Sequence, residues 1–219
     1  MSDVFDYAKY FIKLGLDTNR NTFDGNMKLQ KLLVLANLIS LAMHRKPLFD
    51  DEILAFTYGC VVEKVRIRYK NDCMGFVADS EKFNPTFSQE EYDVLKLTAS
   101  IFGRLSAREL SDINHAFEFW SKAYHSSTQV GGYKDKSKAI VSTDSMNKEV
   151  DKILQVIRAF QDTVNENESK EIINSIMFYY NPSNVPLTDD ILDELFIFSL
   201  TAEESAYSIY LDDGSLVIY

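Results

Sequence analysis

The chain has 219 residues, 46% of them apolar, 26% charged and 13% aromatic, which is the balance of a folded protein and excludes a disordered or collagen-like one. Its net charge of -10 argues against a general nucleic-acid binder, and no apolar run reaches the ~20 residues a membrane-spanning helix needs. The charge is uneven: residues 1–161 carry 22 Lys and Arg against 21 Asp and Glu, whereas residues 162–219 carry Lys170 alone against 12 acids.

Asp3 can cap a first helix whose apolar face is Val4, Phe5, Ala8, Phe11 and Ile12. Asp3 and Asp6 stand where a targeting segment wants basic residues, so a cytoplasmic location is expected. A polar stretch, DTNRNTFDGN, reads as a loop. A second helix follows from about Met27 to Arg45, apolar enough to lie deep in a core: Leu29, Leu32, Leu33, Ala36, Ile39, Ala42 and Met43 share a face. Pro47 stops it. EILAFTYG is strand or short helix, and Gly59 supplies a turn. Val61, Val62, Val65 and Tyr69 then fall at helical spacing, with Arg66, Arg68 and Lys70 facing out.

Residues 71–87 read as a loop. Ser88 with Glu91, and Ser106 with Glu109, are capping boxes that open two further helices. A short helix is expected around Phe119 to Tyr124, a Ser/Gly/Lys-rich loop at SSTQVGGYKDKSK, and one amphipathic helix across STDSMNKEVDKILQVIRAFQDTV. IINSIMFYYN is strand or helix. Thr188 can cap DDILDELFIFSL. The final AYSIYLDDGSLVIY is the strongest strand signal, two alternating runs around Asp213-Gly214, a favoured hairpin turn. The fold class expected is mainly α: a compact multi-helix domain over 1–164 with a short β element near 53–60, then an acidic α+β module over 165–219 ending in a β-hairpin at 207–219.

Chemistry-bearing patterns are scarce. The three histidines, His44, His115 and His125, make no metal-binding pair, and no phosphate loop, dinucleotide fingerprint or nucleophile elbow is present. Asp112 and His115 are one helical turn apart, but a structural hydrogen bond is the plainer reading than an acid–base pair. Cys60 and Cys73 fit no disulfide or metal spacing and read as reduced thiols, Cys60 as a buried, inert one. No catalytic residue, metal or cofactor is therefore expected. Two small basic clusters remain, Arg66/Arg68/Lys70 and Lys134/Lys136/Lys138.

Three stretches carry a family resemblance. KLQKLL (Lys28–Leu33), PLF (Pro47–Phe49) and AFTYGCVV (Ala55–Val62), followed by Leu105, Ser106, Glu109, Leu110, Ser111, His115 and Trp120, resemble the Panacea domain family, the proteins related to the SocA antitoxin and phage-associated GepA. The resemblance covers roughly residues 4–160. Phe56 stands where the family has tryptophan, and Cys60 and Glu63 where it has prolines; without the stiffness of an X-Pro bond the turn is either more flexible or held by other packing. The acidic tail matches nothing in the family core.

The resemblance implies a protein that neutralises an unrelated toxin by direct binding, in some cases as an adaptor delivering it to a protease. The alternative is a phage or mobile-element inhibitor of a host defence or nucleic-acid-processing protein, its acidic tail imitating DNA charge. The partner is then a protein, toxin or host. Nucleic acid and membrane are not expected, and the free edge of the terminal hairpin admits a homodimer. Leu29, Leu32, Leu33, Ala36, Val61, Val62 and Leu110 are the expected core of the motif. Candidate partner contacts are Phe56, Tyr58, Gly59, Cys60, Arg66, Arg68, His115, Trp120, Asp212 and Asp213. Lys28, Gln30 and Lys31 lie off the apolar stripe, as polar contacts to the glycine turn or as solvent-facing groups.

Overall fold

The computed structural model describes residues 3–128, 134–166, 169–212 and 214–219. These residues form two compact units, Met1–Ile157 and Arg158–Tyr219, which divide within one helix. The molecule is mainly α with small sheets, as its composition and periodicity lead one to expect.

The first unit is built around α2 (Phe23–His44). This helix is apolar on all sides, and a helix without a polar face must be enclosed. Every residue from Lys28 to Ala42 is buried. It begins four residues before the expected start because the Thr22 side chain accepts a hydrogen bond from Gly25 N, which moves part of the expected loop into the first turn. Around it lie α1 (Val4–Lys13), α3 (Glu63–Asn71), α5 (Gln89–Phe102), α6 (Ala107–His115) and α8 (Thr143–Asn147). Their apolar faces make one core with Leu29, Leu32, Leu33, Ala36, Val62 and Leu110 in it.

Three expectations need correction. Val61 and Val62 belong to a strand and not to the following helix: β1 (Ile53–Phe56) and β2 (Gly59–Val62) form an antiparallel hairpin pairing Ile53 with Val62 and Phe56 with Gly59. Residues 71–87 are not all loop. Within them α4 (Cys73–Lys82) is capped by the Asp72 carboxylate, which accepts from Gly75 N at 3.0 Å, so Gly75 leaves room for the cap and breaks nothing. The single amphipathic helix after residue 142 is two, α8 and α9 (Val150–Glu166). Both capping boxes are formed, at the starts of α5 and α6. The helix expected near Phe119 is α7 (Glu118–Ser126).

The second unit is a four-stranded sheet in the order β3–β4–β5–β6: Ser169–Ile173, Ile176–Tyr180, Ala206–Asp212 and Ser215–Ile218. The first and last pairs are antiparallel hairpins, and β4 runs parallel to β5. A parallel step needs a crossover, and α10 (Asp189–Ser199) supplies it, capped by Thr188 as expected. Phe178, Val185, Leu195 and Ile209 are its buried centre. The ambiguous IINSIMFYYN is strand: Asn174 and Ser175 both take positive φ, the backbone a tight hairpin turn requires.

Candidate functional site

The tip of the β1–β2 hairpin is where the motif residues converge. A two-stranded hairpin this short is marginal alone. Here side chains from three helices take up its polar groups. From α2, the Gln30 carbonyl oxygen accepts from Val62 N at 3.0 Å, and Lys31 Nζ donates to the Cys60 carbonyl at 2.8 Å. From α6, Asn114 Oδ1 accepts from Cys60 N at 2.6 Å, the Ser111 hydroxyl donates to the Tyr58 carbonyl at 3.1 Å, and His115 Nε2 meets the Thr57 carbonyl at 3.1 Å. From α7, Trp120 Nε1 donates to the Phe56 carbonyl at 2.8 Å. The carbonyls of residues 56, 57, 58 and 60 thus each have a side-chain partner.

This answers why Lys28, Gln30 and Lys31 sit on so apolar a helix. All three are buried. Lys28 Nζ donates to the Gly103 carbonyl at 2.8 Å, holding the end of α5, while the other two hold the hairpin. Asn37, also on α2, accepts from Leu48 N and Phe49 N, so the PLF element hangs on the same helix. Gly59 has φ +91°, and a Cβ there would stand 2.6 Å from Asn114 Oδ1 and 3.0 Å from Lys31 Cε. The turn is glycine for both reasons: backbone conformation and space.

Burial sets the electrostatics. Lys31 is enclosed with the Cys60 carbonyl as its acceptor, and desolvation brings its ammonium down to about 8. Desolvation drives the Cys60 thiol the other way, to about 12, so it is not a nucleophile at neutral pH. The His115, Trp120 and Tyr124 rings form a row, His115 tilted 36° to Trp120 at 4.0 Å and Trp120 stacked on Tyr124 at 5.1 Å, with Lys134 3.4 Å over Tyr124. The expected Asp112–His115 pair gives way to the His115 contact with Thr57.

The two basic clusters meet, which their separation of some 70 residues concealed. Arg66 pairs with Glu63 at 2.6 Å and Lys136 with the same carboxylate at 2.9 Å, and both cations lie near the Phe56 ring. Burial pushes the Glu63 carboxyl up, but the two cations outweigh it and hold it below its ordinary value. Arg68 is elsewhere, on Asp72 and Asp79 beside α4. Gly59 and Cys60 are buried, so their contribution is to the shape of the tip, while Tyr58 is 56% exposed. Asp212 is exposed in the second unit opposite Ser215; Asp213 lies outside the described residues. Among the described residues, His, Cys, Asp and Glu side chains make no group of three or more placed to hold a metal, and no helix is long and apolar enough to cross a membrane.

Residues 29–121 match the family model described as Antitoxin SocA-like, Panacea domain. Searches of curated proteins and of solved structures found no match to the chain. The matched segment starts just after Lys28 and ends just after Trp120, so it contains Gln30, Lys31, the hairpin, Ser111, Asn114, His115 and Trp120 together. Over Leu29 to Ser121 the chain is thus similar to the Panacea domain of SocA-like antitoxins, and this similarity spans fewer than half of its residues.

Proposed function

We propose that this protein is a non-enzymatic binding module, an antitoxin that neutralises a partner toxin by direct contact, with the hairpin tip and its flanks as the contact face. The observation that carries this reading is the side-chain clamp on residues 56–60, which presents Tyr58 and Phe56 in one fixed arrangement. A recognition surface that is already ordered loses less conformational entropy on association. The clamp uses the polar groups of His115, Trp120, Asn114 and Lys31 to hold backbone, which fits display better than catalysis.

The test is growth. Expression of the product of the gene next to this one should arrest cells, and co-expression of this chain should restore growth, with the two proteins co-purifying at fixed stoichiometry. Absence of both arrest and complex would overturn the reading. The acid-rich run 162–219 favours a second reading, inhibition of a host nucleic-acid-processing protein through charge imitation. It predicts a host partner whose binding is lost when the second unit is neutralised by Asp→Asn and Glu→Gln changes. Proteolytic delivery of the toxin would show as toxin loss dependent on a cellular protease.

A further inference from the structure

Beside the hairpin runs a groove of about 440 Å³, between the start of α2, the hairpin tip and α3. That size is within the ~300–1,000 Å³ of pockets that enclose a ligand group. Its rim is aromatic. Phe23, the first residue of α2, is 64% exposed, and its ring meets Tyr58 edge to face at 5.4 Å. Such large exposed aromatics are the residues that anchor protein interfaces. Neither ring is needed to cover the core, since the buried cluster beneath closes without them.

Its charge is of one sign. Lys31, Arg66 and Lys70 line the groove, and among the described residues no Asp or Glu does. Lys31 is sealed beneath the surface with a carbonyl and no carboxylate for company. Lys70 is exposed on α3 and makes no ion pair among the described residues. Arg66 lies over Phe56 while bonded to Glu63. With Arg66 already paired to Glu63, the exposed unpaired cation of the groove is Lys70, and a cationic concavity on a chain of net charge -10 is complementary to an acidic group. The overall charge works against a phosphate backbone, whose affinity comes from many cations acting together. A protein segment needs only one or two carboxylates beside an apolar anchor.

We infer that this groove seats a partner protein through a short acidic segment, an aromatic or aliphatic side chain lying between Phe23 and Tyr58 and an adjacent Asp or Glu reaching Lys70 and Arg66. This rests on the binding-module reading above and adds the chemistry of what is bound. The site was not visible in sequence, because Phe23 falls in a stretch that reads as loop and Tyr58 is 35 residues on.

The experiment pans phage-displayed random dodecapeptides on the full chain and then measures a synthetic consensus peptide by fluorescence anisotropy. Enriched peptides should carry an apolar residue within two positions of Asp or Glu. The doubly substituted Phe23→Ala/Tyr58→Ala protein should bind the consensus at least about tenfold more weakly. Lys70→Glu should weaken it about five- to tenfold, and a peptide with its Asp or Glu changed to Lys should regain binding to Lys70→Glu. Lys96→Glu, the same charge change at an exposed site on α5, should bind like the original protein. All four positions are solvent-exposed, and unchanged circular dichroism would confirm folding; the charge swap reads recognition independently of it.

No enrichment, a basic consensus, equal losses in Lys96→Glu, or tighter binding of a dodecathymidylate strand than of the peptide would overturn the inference. This readout involves no toxin, so the groove is judged by peptide affinity and the antitoxin reading by growth rescue.

Discussion

Among the described residues two hairpins end in glycine turns, and they are held in different ways. The β1–β2 tip is fixed from outside: Gln30, Lys31, Ser111, Asn114, His115 and Trp120 reach it from three helices. The β5–β6 hairpin is fixed from within, by its strand register and by Ser208 and Tyr219 exchanging backbone hydrogen bonds at 2.9 and 3.1 Å. Gly59 and Gly214 have similar backbone angles, φ +91° and +81°, but a Cβ at Gly214 meets nothing within 4 Å. The same residue type therefore answers a backbone demand in one hairpin, and a backbone and a packing demand in the other.

Gly59→Ala tests that difference most severely. Its Cβ would press on Asn114 Oδ1, which cannot retreat without releasing Cys60 N. Backbone strain and overpacking add, and a loss of about 3–5 kcal/mol is expected. Gly214→Ala meets only the left-handed backbone penalty, about 1 kcal/mol. Urea unfolding of both variants, with Trp120 as the sole tryptophan reporter for the first and circular dichroism for the second, measures them. Equal losses would mean that the clamp constrains nothing.

Asn114→Ala is the next step down. It leaves the buried Cys60 N–H without its acceptor, at about 2 kcal/mol. Trp120→Phe keeps a ring in the stack with His115 and removes one hydrogen bond to the Phe56 carbonyl, for about 1 kcal/mol. Both should lower the urea midpoint without altering the slope. If Asn114→Ala were neutral, the tip would be held by its strands alone, like the other hairpin.

The same contrast explains what was legible in the sequence. The terminal hairpin and both capping boxes were legible because their signals are local: Asp-Gly between alternating runs, and Ser three residues before Glu. The core of α2 was legible from period and composition. The β1–β2 hairpin was half legible, as a stretch that reads as strand or short helix. Val61 and Val62 satisfy helical spacing with Val65 and Tyr69 as well as they satisfy a strand. What decides for strand is Gln30 taking Val62 N and Lys31 taking the Cys60 carbonyl, contacts across some 30 residues that no local window contains. Trp120 was singled out through the family resemblance and His115 both through it and through its spacing from Asp112, but their attachment to carbonyls 56 and 57 was not. The loop assigned to 71–87 failed on Gly75, a residue that signals a turn in sequence and here makes room for the Asp72 cap.

The clamp also gives the first unit a pH signature. Lys31 has its pKa lowered to about 8 by burial, so between there and the free-lysine value of 10.5 the unfolded chain binds the extra proton. Stability then rises with pH in that window. Lys28, lowered by the same cause, acts in the same direction. Burial raises Cys60 to about 12, so above the free-thiol value of 9.0 the folded chain binds the extra proton and stability falls. The two slopes cancel where they overlap. Urea stability should climb by about 1 kcal/mol from pH 8 to 9, level off to about pH 10.5, and decline beyond. Tyr10 and Tyr69, both raised by burial, steepen that decline. Lys31→Met should remove much of the climb, leaving the part due to Lys28, and keep the decline. A wild-type profile flat from pH 8 to 9 would mean that Lys31 is better solvated than its enclosure implies.

The smallest effects compare how each unit starts a helix. At α6 the Ser106 hydroxyl accepts from Glu109 N at 3.2 Å and donates to the Glu109 carboxylate at 2.7 Å, and that carboxylate also takes Ser106 N. At α10 Thr188 accepts from Ile191 N alone, at 3.4 Å. The four N–H groups at a helix start lack intrahelical partners, so each cap is judged by how many it satisfies and how well. Ser106→Ala should cost about 1 kcal/mol and Thr188→Ala about half that. Hydrogen exchange at Glu109 N and Ile191 N reads each cap directly, and protection should fall more at Glu109. The reverse order would show that the reciprocal carboxylate contact contributes nothing beyond the hydroxyl, and that α6, which carries Ser111, Asn114 and His115 to the hairpin, is held by packing and not by its cap.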